Sequence, residues 1–185
     1  MFNRRFRSVG IAARSEPNWD CMIERRVDHI TRKRVSEMSP EQMTRALLTS
    51  EKTGLPNRRA FDEGTASPWV AMSDVNGLKE LNDKFGYSAG DILIGRFAEA
   101  LVSIGLDAYH NQGDEFLFKG TAYRELNEKL SNVQRLLRAQ PFAVQALDGR
   151  ITTIQGADFC FGIGTTLQQA ERSLKHQKEL RRVQS

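Results

Sequence analysis

The chain has 185 residues, 39% hydrophobic and 27% charged, which fits one globular domain with a short appendage and excludes a fibre or a disordered tail. A mean hydropathy of −0.49 with no long apolar run excludes a membrane-spanning helix, and the basic N-terminus lacks the apolar stretch of a secretory signal. A soluble, cytoplasmic protein with no membrane partner is therefore expected. The net charge is +4, with nine basic and four acidic residues between Met1 and Arg34; this admits an anionic partner such as nucleic acid, but a solvated helix face is the favoured explanation. Cys21 and Cys160 are too few and too far apart for a disulfide framework or a thiolate metal site.

The first fifteen residues read as irregular. From Met22, apolar residues at Ile23, Val27, Ile30 and Val35 recur at helical spacing and predict a helix to about Glu37. Ser39-Pro40-Glu41-Gln42 has the form of an N-cap followed by a first-turn proline, opening a second helix through Met43, Leu47 and Leu48. Residues 1–50 are thus read as a basic helical segment and 51–185 as the main domain. Thr53-Gly54-Leu55-Pro56-Asn57 breaks the helix, and Asn57 caps a short one from Arg58 to Glu63. Pro68 to Ser73 is a short apolar run ending at Asp74, the pattern of a buried strand whose last residue reaches the carboxyl edge of a sheet. A helix from about Asn76 to Phe85, a glycine-bearing turn from Gly86 to Gly90 and an amphipathic helix from Asp91 to Ile104 follow. Leu106 to His110 and Glu115 to Lys119 flank a turn at 111–114 as a hairpin. Tyr123 to Arg138 is helical, Phe142 to Ala146 and Ile151 to Ile154 form a second hairpin around Asp148-Gly149, and a strand from Asp158 to Ile163 precedes a closing helix, Leu167 to Val183. This order predicts an α+β sandwich: a mainly antiparallel sheet with helices on one face.

Asp74 at a strand end and Asp114-Glu115 at a hairpin tip are distant in sequence, but a βαββ unit sets the first strand beside the hairpin, so that three carboxylates converge at one sheet edge. Such a cluster repels itself unless cations sit in it; oxygen ligands of this kind suit Mg²⁺, which suits phosphoryl transfer. Strand ends and turns also carry aspartate for geometric reasons alone. His29, His110 and His176 form no ligand cluster by spacing and are read as surface or structural.

Thr53-Gly54-Leu55-Pro56-Asn57-Arg58-Arg59, Ser73-Asp74-Val75-Asn76-Gly77-Leu78-Lys79-Glu80-Leu81-Asn82-Asp83, Gly86-Tyr87-Ser88-Ala89-Gly90-Asp91 and Gln112-Gly113-Asp114-Glu115-Phe116 resemble, in that order, the motifs of the GGDEF family of diguanylate cyclases. The resemblance runs from about Glu51 to Arg182. It implies a palm-like, ferredoxin-like βαββαβ sheet related to nucleotidyl cyclases and polymerases, GTP as substrate and Mg²⁺ or Mn²⁺ as cofactor. By position, Asp74, the Val75 carbonyl and Glu115 match the family's metal ligands, and Asp114 the further acidic residue needed for catalysis. Lys79 matches a phosphate-binding lysine, and Asn82 and Asp91 the guanine readers; a carboxylate accepts from guanine N1 and N2 hydrogens that adenine lacks. Gly113 matches the glycine that lets backbone approach the nucleotide, and Tyr87 stands in the loop near the base. A weaker likeness in the last helix puts Lys178 and Arg182, one turn apart, at the β- and γ-phosphates, although a solvated basic helix end explains them equally well. The resemblance also implies a homodimer: two protomers, each holding one GTP, face each other and condense them into cyclic di-GMP with release of pyrophosphate. The N-terminal helices are the natural dimer element of a chain with no room for a separate sensor domain.

The departures from the pattern are Gln112 for the first signature glycine, His110 for the usual arginine, Tyr87 for a histidine, Asn76 for the second aspartate of the strand-end pair, and Ser50 and Lys52 for the usual Asp and Leu ahead of Thr53-Gly54-Leu55. Ser103 and Leu106 replace the Arg-x-x-Asp of the family's inhibitory site, so product inhibition by that route is expected to be absent. Two alternatives stay open: a catalytically silent GGDEF-like module that binds GTP or a protein partner, and a relative making another cyclic nucleotide.

Overall fold

A computed structural model of the chain describes residues 35–184. Of the helix expected from Met22, only Val35–Glu37 falls among them, as a short 3-10 turn; the rest, like the basic cluster before Arg34, lies outside the described residues. Helix α1 (Pro40–Leu48) starts as its sequence dictates: the Ser39 hydroxyl accepts from the Gln42 N–H at 3.3 Å, and the Gln42 side chain accepts from the Ser39 N–H at 3.0 Å. Helix α2 (Arg58–Glu63) is capped by Asn57, whose Oδ1 accepts from the Ala60 N–H at 3.1 Å while its Nδ2 donates to the Leu47 carbonyl at 2.8 Å. One side chain thus joins two helices across the intervening loop. Asn57→Ala is expected to cost about 1–2 kcal/mol, seen as a lower urea midpoint at unchanged slope, because it removes a cap and an interhelical bond together.

Strand β1 (Trp69–Val75) leads into α3 (Leu78–Phe85) and α4 (Tyr87–Ser103). Strands β2 (Asp107–Gln112) and β3 (Glu115–Gly120) form the first hairpin, followed by α5 (Tyr123–Ala139). The second hairpin, β4 (Phe142–Gln145) and β5 (Ile151–Ile154), stands as a separate ribbon before β6 (Phe159–Gly164) and α6 (Leu167–Gln184). The main sheet has the order β2-β3-β1-β6 with every pairing antiparallel, which is the βαββαβ arrangement with a ribbon inserted before its last strand.

The helices cover both faces of this sheet rather than the one face expected. On one side Ala71, Phe116 and Phe118 pack, fully buried, with Phe97, Leu101, Leu130 and Val133 of α4 and α5. On the other, Val70 and Leu117 meet Phe61 of α2 and Ala170 of α6. The apolar runs of β1 and β3 lack strict alternation for this reason: each strand is buried on both sides. Lys119 of β3 is buried on the second side, donating to the carbonyls of Phe61 (2.8 Å) and Thr65 (2.9 Å) and lying 4.7 Å from the Phe61 ring centroid.

The turn expected over Gly86 to Gly90 is a single residue. Gly86, at φ +88°, closes α3 by donating its N–H to the Asn82 carbonyl at 2.8 Å, and α4 starts immediately at Tyr87. Gly90 is a helical residue, and a Cβ there would run into the Asn82 side chain. Helix α6 lies equally close on β6: a methyl at Gly162 would collide with the Leu174 N–H and the Ala170 carbonyl. That contact fixes how the second half of α6 passes over the end of β1.

Candidate active site

Asp74 and Glu115 are register partners on β1 and β3, so their side chains leave the same face of the sheet, the one covered by α6. Asp114 occupies the hairpin turn, where its carbonyl accepts from the Val75 N–H at 3.0 Å. The Glu115 carboxylate is held by Asn111, whose Nδ2 donates to Oε2 at 2.8 Å. The Asp114 carboxyl is pushed above the usual carboxylate range, first by burial and then by the charge of Asp74, with Glu115 adding to it against the pull of its own backbone and Lys178. A carboxyl whose pKa is raised by folding destabilises the native state at neutral pH, and that cost vanishes once the pH is below the unfolded value. Asp114→Asn is therefore expected to raise the melting temperature at pH 7, with the gain fading as the pH falls toward the unperturbed 3.8. A gain independent of pH would mean that charge is not its cause.

Helix α6 brings cations to this acidic end. Lys178 Nζ lies 2.5 Å from Asp74 Oδ2. Arg181 pairs with Asp158, which also takes Arg138 at 2.9 Å, and reaches Cys160 Sγ at 3.6 Å. Asn76, with its amide oxygen turned toward β6, accepts from Arg181 and from the Phe159 N–H at 3.1 Å. Asp74, Val75, Lys79, Asp114, Lys178 and Arg182 all line one open cleft of about 520 Å³ beyond the carboxyl end of β1.

A second group lies where α3 meets α4. The Asn82 Oδ1 is buried against Gly90 with no hydrogen-bond partner among the described residues. Asp91, next in the chain, is ion-paired with Lys52, Nζ to Oδ1 being 2.6 Å. Tyr87 is exposed in the first turn of α4. The loop carrying Lys52 is tied to the signature hairpin through Ser50, whose Oγ is 2.6 Å from His110 Nδ1, while His110 Nε2 is 3.2 Å from the Gly113 carbonyl. His110 is buried, and burial pushes its pKa below the usual histidine value, against the Gly113 carbonyl and with help from Lys52.

The sequence model described as "Diguanylate cyclase, GGDEF domain" matches residues 49–182. The chain belongs to the GGDEF family. It is 35% identical over 79 residues to diguanylate cyclase VdcA of Vibrio cholerae, which is 37% of this chain and 23% of that protein. It is 28% identical over 106 residues to diguanylate cyclase DgcP of Escherichia coli, 50% of this chain and 30% of that protein. The chain thus spans less than a third of the length of the curated relatives it matches. In shape it is similar to the crystal structure of the coiled coil and GGDEF domain of DgcB from Caulobacter crescentus in complex with c-di-GMP, with a TM-score of 0.61 at 20% identity over 86% of this chain and 90% of that one. At that identity the likeness speaks for the fold.

Within this GGDEF domain, two departures from the family pattern prove to be one contact: Ser50 and His110, standing for the usual Asp and Arg, bond to each other. Gln112 is exposed at the bulge that ends β2 and does not enter the core. The donors suit a hard divalent cation in kind, being carboxylate and carbonyl oxygen throughout. Among the described residues no three carboxylate, imidazole or thiol side chains converge closely enough to hold an ion as they stand. The Lys178 ammonium sits on Asp74, so a metal ion bound there would have to displace it. Arg181 and Asp158 escaped the sequence reading; Arg181 directly precedes Arg182 in a run whose facing depends on the helix's rotation over β6. No helix of the described residues is long and apolar enough to cross a membrane.

Proposed function

We propose that this chain condenses two GTP molecules into cyclic di-GMP with release of pyrophosphate, each of two facing chains supplying half of the reaction site and the segment 1–50 bringing them together. The observation that carries the reading is one cleft lined by the carboxylates Asp74 and Asp114 and the cations Lys79, Lys178 and Arg182, with Glu115 the register partner of Asp74 on the neighbouring strand. The carboxylates suit divalent cations, and the ammonium and guanidinium groups suit a triphosphate.

Asp74, the Val75 carbonyl and Glu115 would hold Mg²⁺ or Mn²⁺. When bound, the cations neutralise the triphosphate and activate a ribose 3′-hydroxyl. Lys178 exchanges Asp74 for the β- and γ-phosphates, with Arg182 one helical turn on and Lys79 lining the same cleft. Asn82 and Asp91 hold the guanine, with Tyr87 beside it. Gly113, at φ +56° with nothing within 4 Å of where a Cβ would stand, brings bare backbone to the nucleotide. The 3′-oxygen of one GTP attacks the α-phosphorus of the other in line, the bond to the bridging oxygen breaks and pyrophosphate leaves. Asp114, whose raised pKa suits it to accept, takes the hydroxyl proton and passes it to water. The reciprocal attack closes the ring.

Pyrophosphate release from GTP and Mg²⁺ at increasing protein concentration tests the half-site arrangement. The rate per chain rises as dimers form and then levels off. A rate per chain that is constant down to the lowest measurable concentration contradicts it, and GTP binding with no pyrophosphate makes the chain a silent binding module.

A further inference from the structure

We propose that Lys52 reads the base: its ammonium, held beside Asp91, donates to guanine O6 while Asp91 accepts from N1–H and the N2 amine. This rests on the reading that the Asn82 and Asp91 corner receives the guanine of GTP. The edge of guanine presents an acceptor at position 6 followed by donors at N1 and N2. A carboxylate satisfies only the donors, and with the Asn82 Oδ1 buried against Gly90 the donors near this corner for O6 are the Asn82 amide nitrogen and the ammonium beside Asp91. Lys52 Nζ is 2.6 Å from Asp91 Oδ1, and both side chains keep substantial exposure, 39% and 59%, so a base can reach them. An ammonium has three donors and the Asp91 pair uses one.

The placement of Lys52 is fixed by its loop. The Ser50 N–H donates to the Leu55 carbonyl and the Gly54 N–H to the Ser50 carbonyl, each at 2.8 Å, and the Ser50 side chain is anchored on His110. An exposed ion pair of this kind adds little to stability, so holding the fold is a weak reason for Lys52 to face Asp91. Read as a pair, the two groups offer a donor and acceptors in the order guanine requires. Adenine inverts both contacts, setting its 6-amine against the ammonium and its bare N1 against the carboxylate. A leucine at this position, usual in the family, offers no such donor.

The test is competition of GTP, 6-thio-GTP, ITP and ATP against a fluorescent GTP derivative on the full chain and its Lys52→Leu and Lys52→Arg variants. Sulfur at position 6 is a poor acceptor, so the unaltered chain is expected to prefer GTP to 6-thio-GTP by about tenfold. Lys52→Leu abolishes that preference and Lys52→Arg keeps it, while all three retain the penalty against ITP, which lacks the N2 amine. An unchanged ratio of GTP to 6-thio-GTP in Lys52→Leu overturns the proposal. Equal binding of GTP and ATP by the unaltered chain overturns the guanine reading itself, and the role of Lys52 with it.

Discussion

Replacing Glu115 by Gln is expected to lower pyrophosphate release from GTP by at least about a thousandfold, or about 4 kcal/mol of transition-state stabilisation, while the chain stays folded. Glutamine keeps the length of the side chain and an oxygen that still accepts from Asn111, so the contact at 2.8 Å survives. What is lost is one of the negative charges that would hold divalent cations at the end of β1. The substitution also removes part of the push on Asp114, whose carboxyl should titrate closer to its ordinary range. Activity within about tenfold of the unaltered chain would remove Glu115 from the ligands.

The largest effect on stability is expected at Gly162. An added methyl would meet the Leu174 N–H and the Ala170 carbonyl, backbone atoms that cannot rotate away, so α6 must lift from β6. Gly162→Ala should cost about 3 kcal/mol and lower the melting temperature by about 10 °C. Lifting α6 also carries off Lys178 and Arg182, so activity falls further than stability alone requires. Gly95 makes the contrast: it lies inside α4 with nothing within 4 Å of its missing Cβ, and Gly95→Ala should stabilise by about 0.5–1 kcal/mol. Equal effects at the two sites would mean that the fit of α6 on β6 is not tight.

Local chemistry made most elements legible in the sequence. Asn57 announces α2 because a side-chain oxygen must satisfy orphan N–H groups, and Ser39-Pro40 announces α1 in the same way. The end of β1 at the cleft was readable from an apolar run that stops at Asp74. The start of α4 was not: Gly90 has the look of a turn residue, and only its contact with Asn82 shows that it is there to be small. The second helical layer escaped as well, since a strand buried on both faces carries no alternation to say which side is covered. At the site, Asp74, Asp114 and Glu115 could be named from motif and spacing, whereas the Lys178 ammonium on Asp74 and the links from Ser50 to His110 and from Lys52 to Asp91 join residues 39 to 104 positions apart. Ser50, Lys52 and His110 read singly as departures from a pattern. Together they form a chain of contacts from the loop after α1 to the signature turn on one side and to Asp91 of α4 on the other.

The central claim is that this cleft joins two GTP molecules. Incubation of the purified chain with equimolar GTP and ATP plus Mg²⁺, followed by mass spectrometry of the products, tests it most directly. The account predicts cyclic di-GMP with pyrophosphate and no adenine in the product, whereas a mixed or adenine-containing cyclic dinucleotide, or unreacted GTP at a protein concentration that saturates binding, would contradict it.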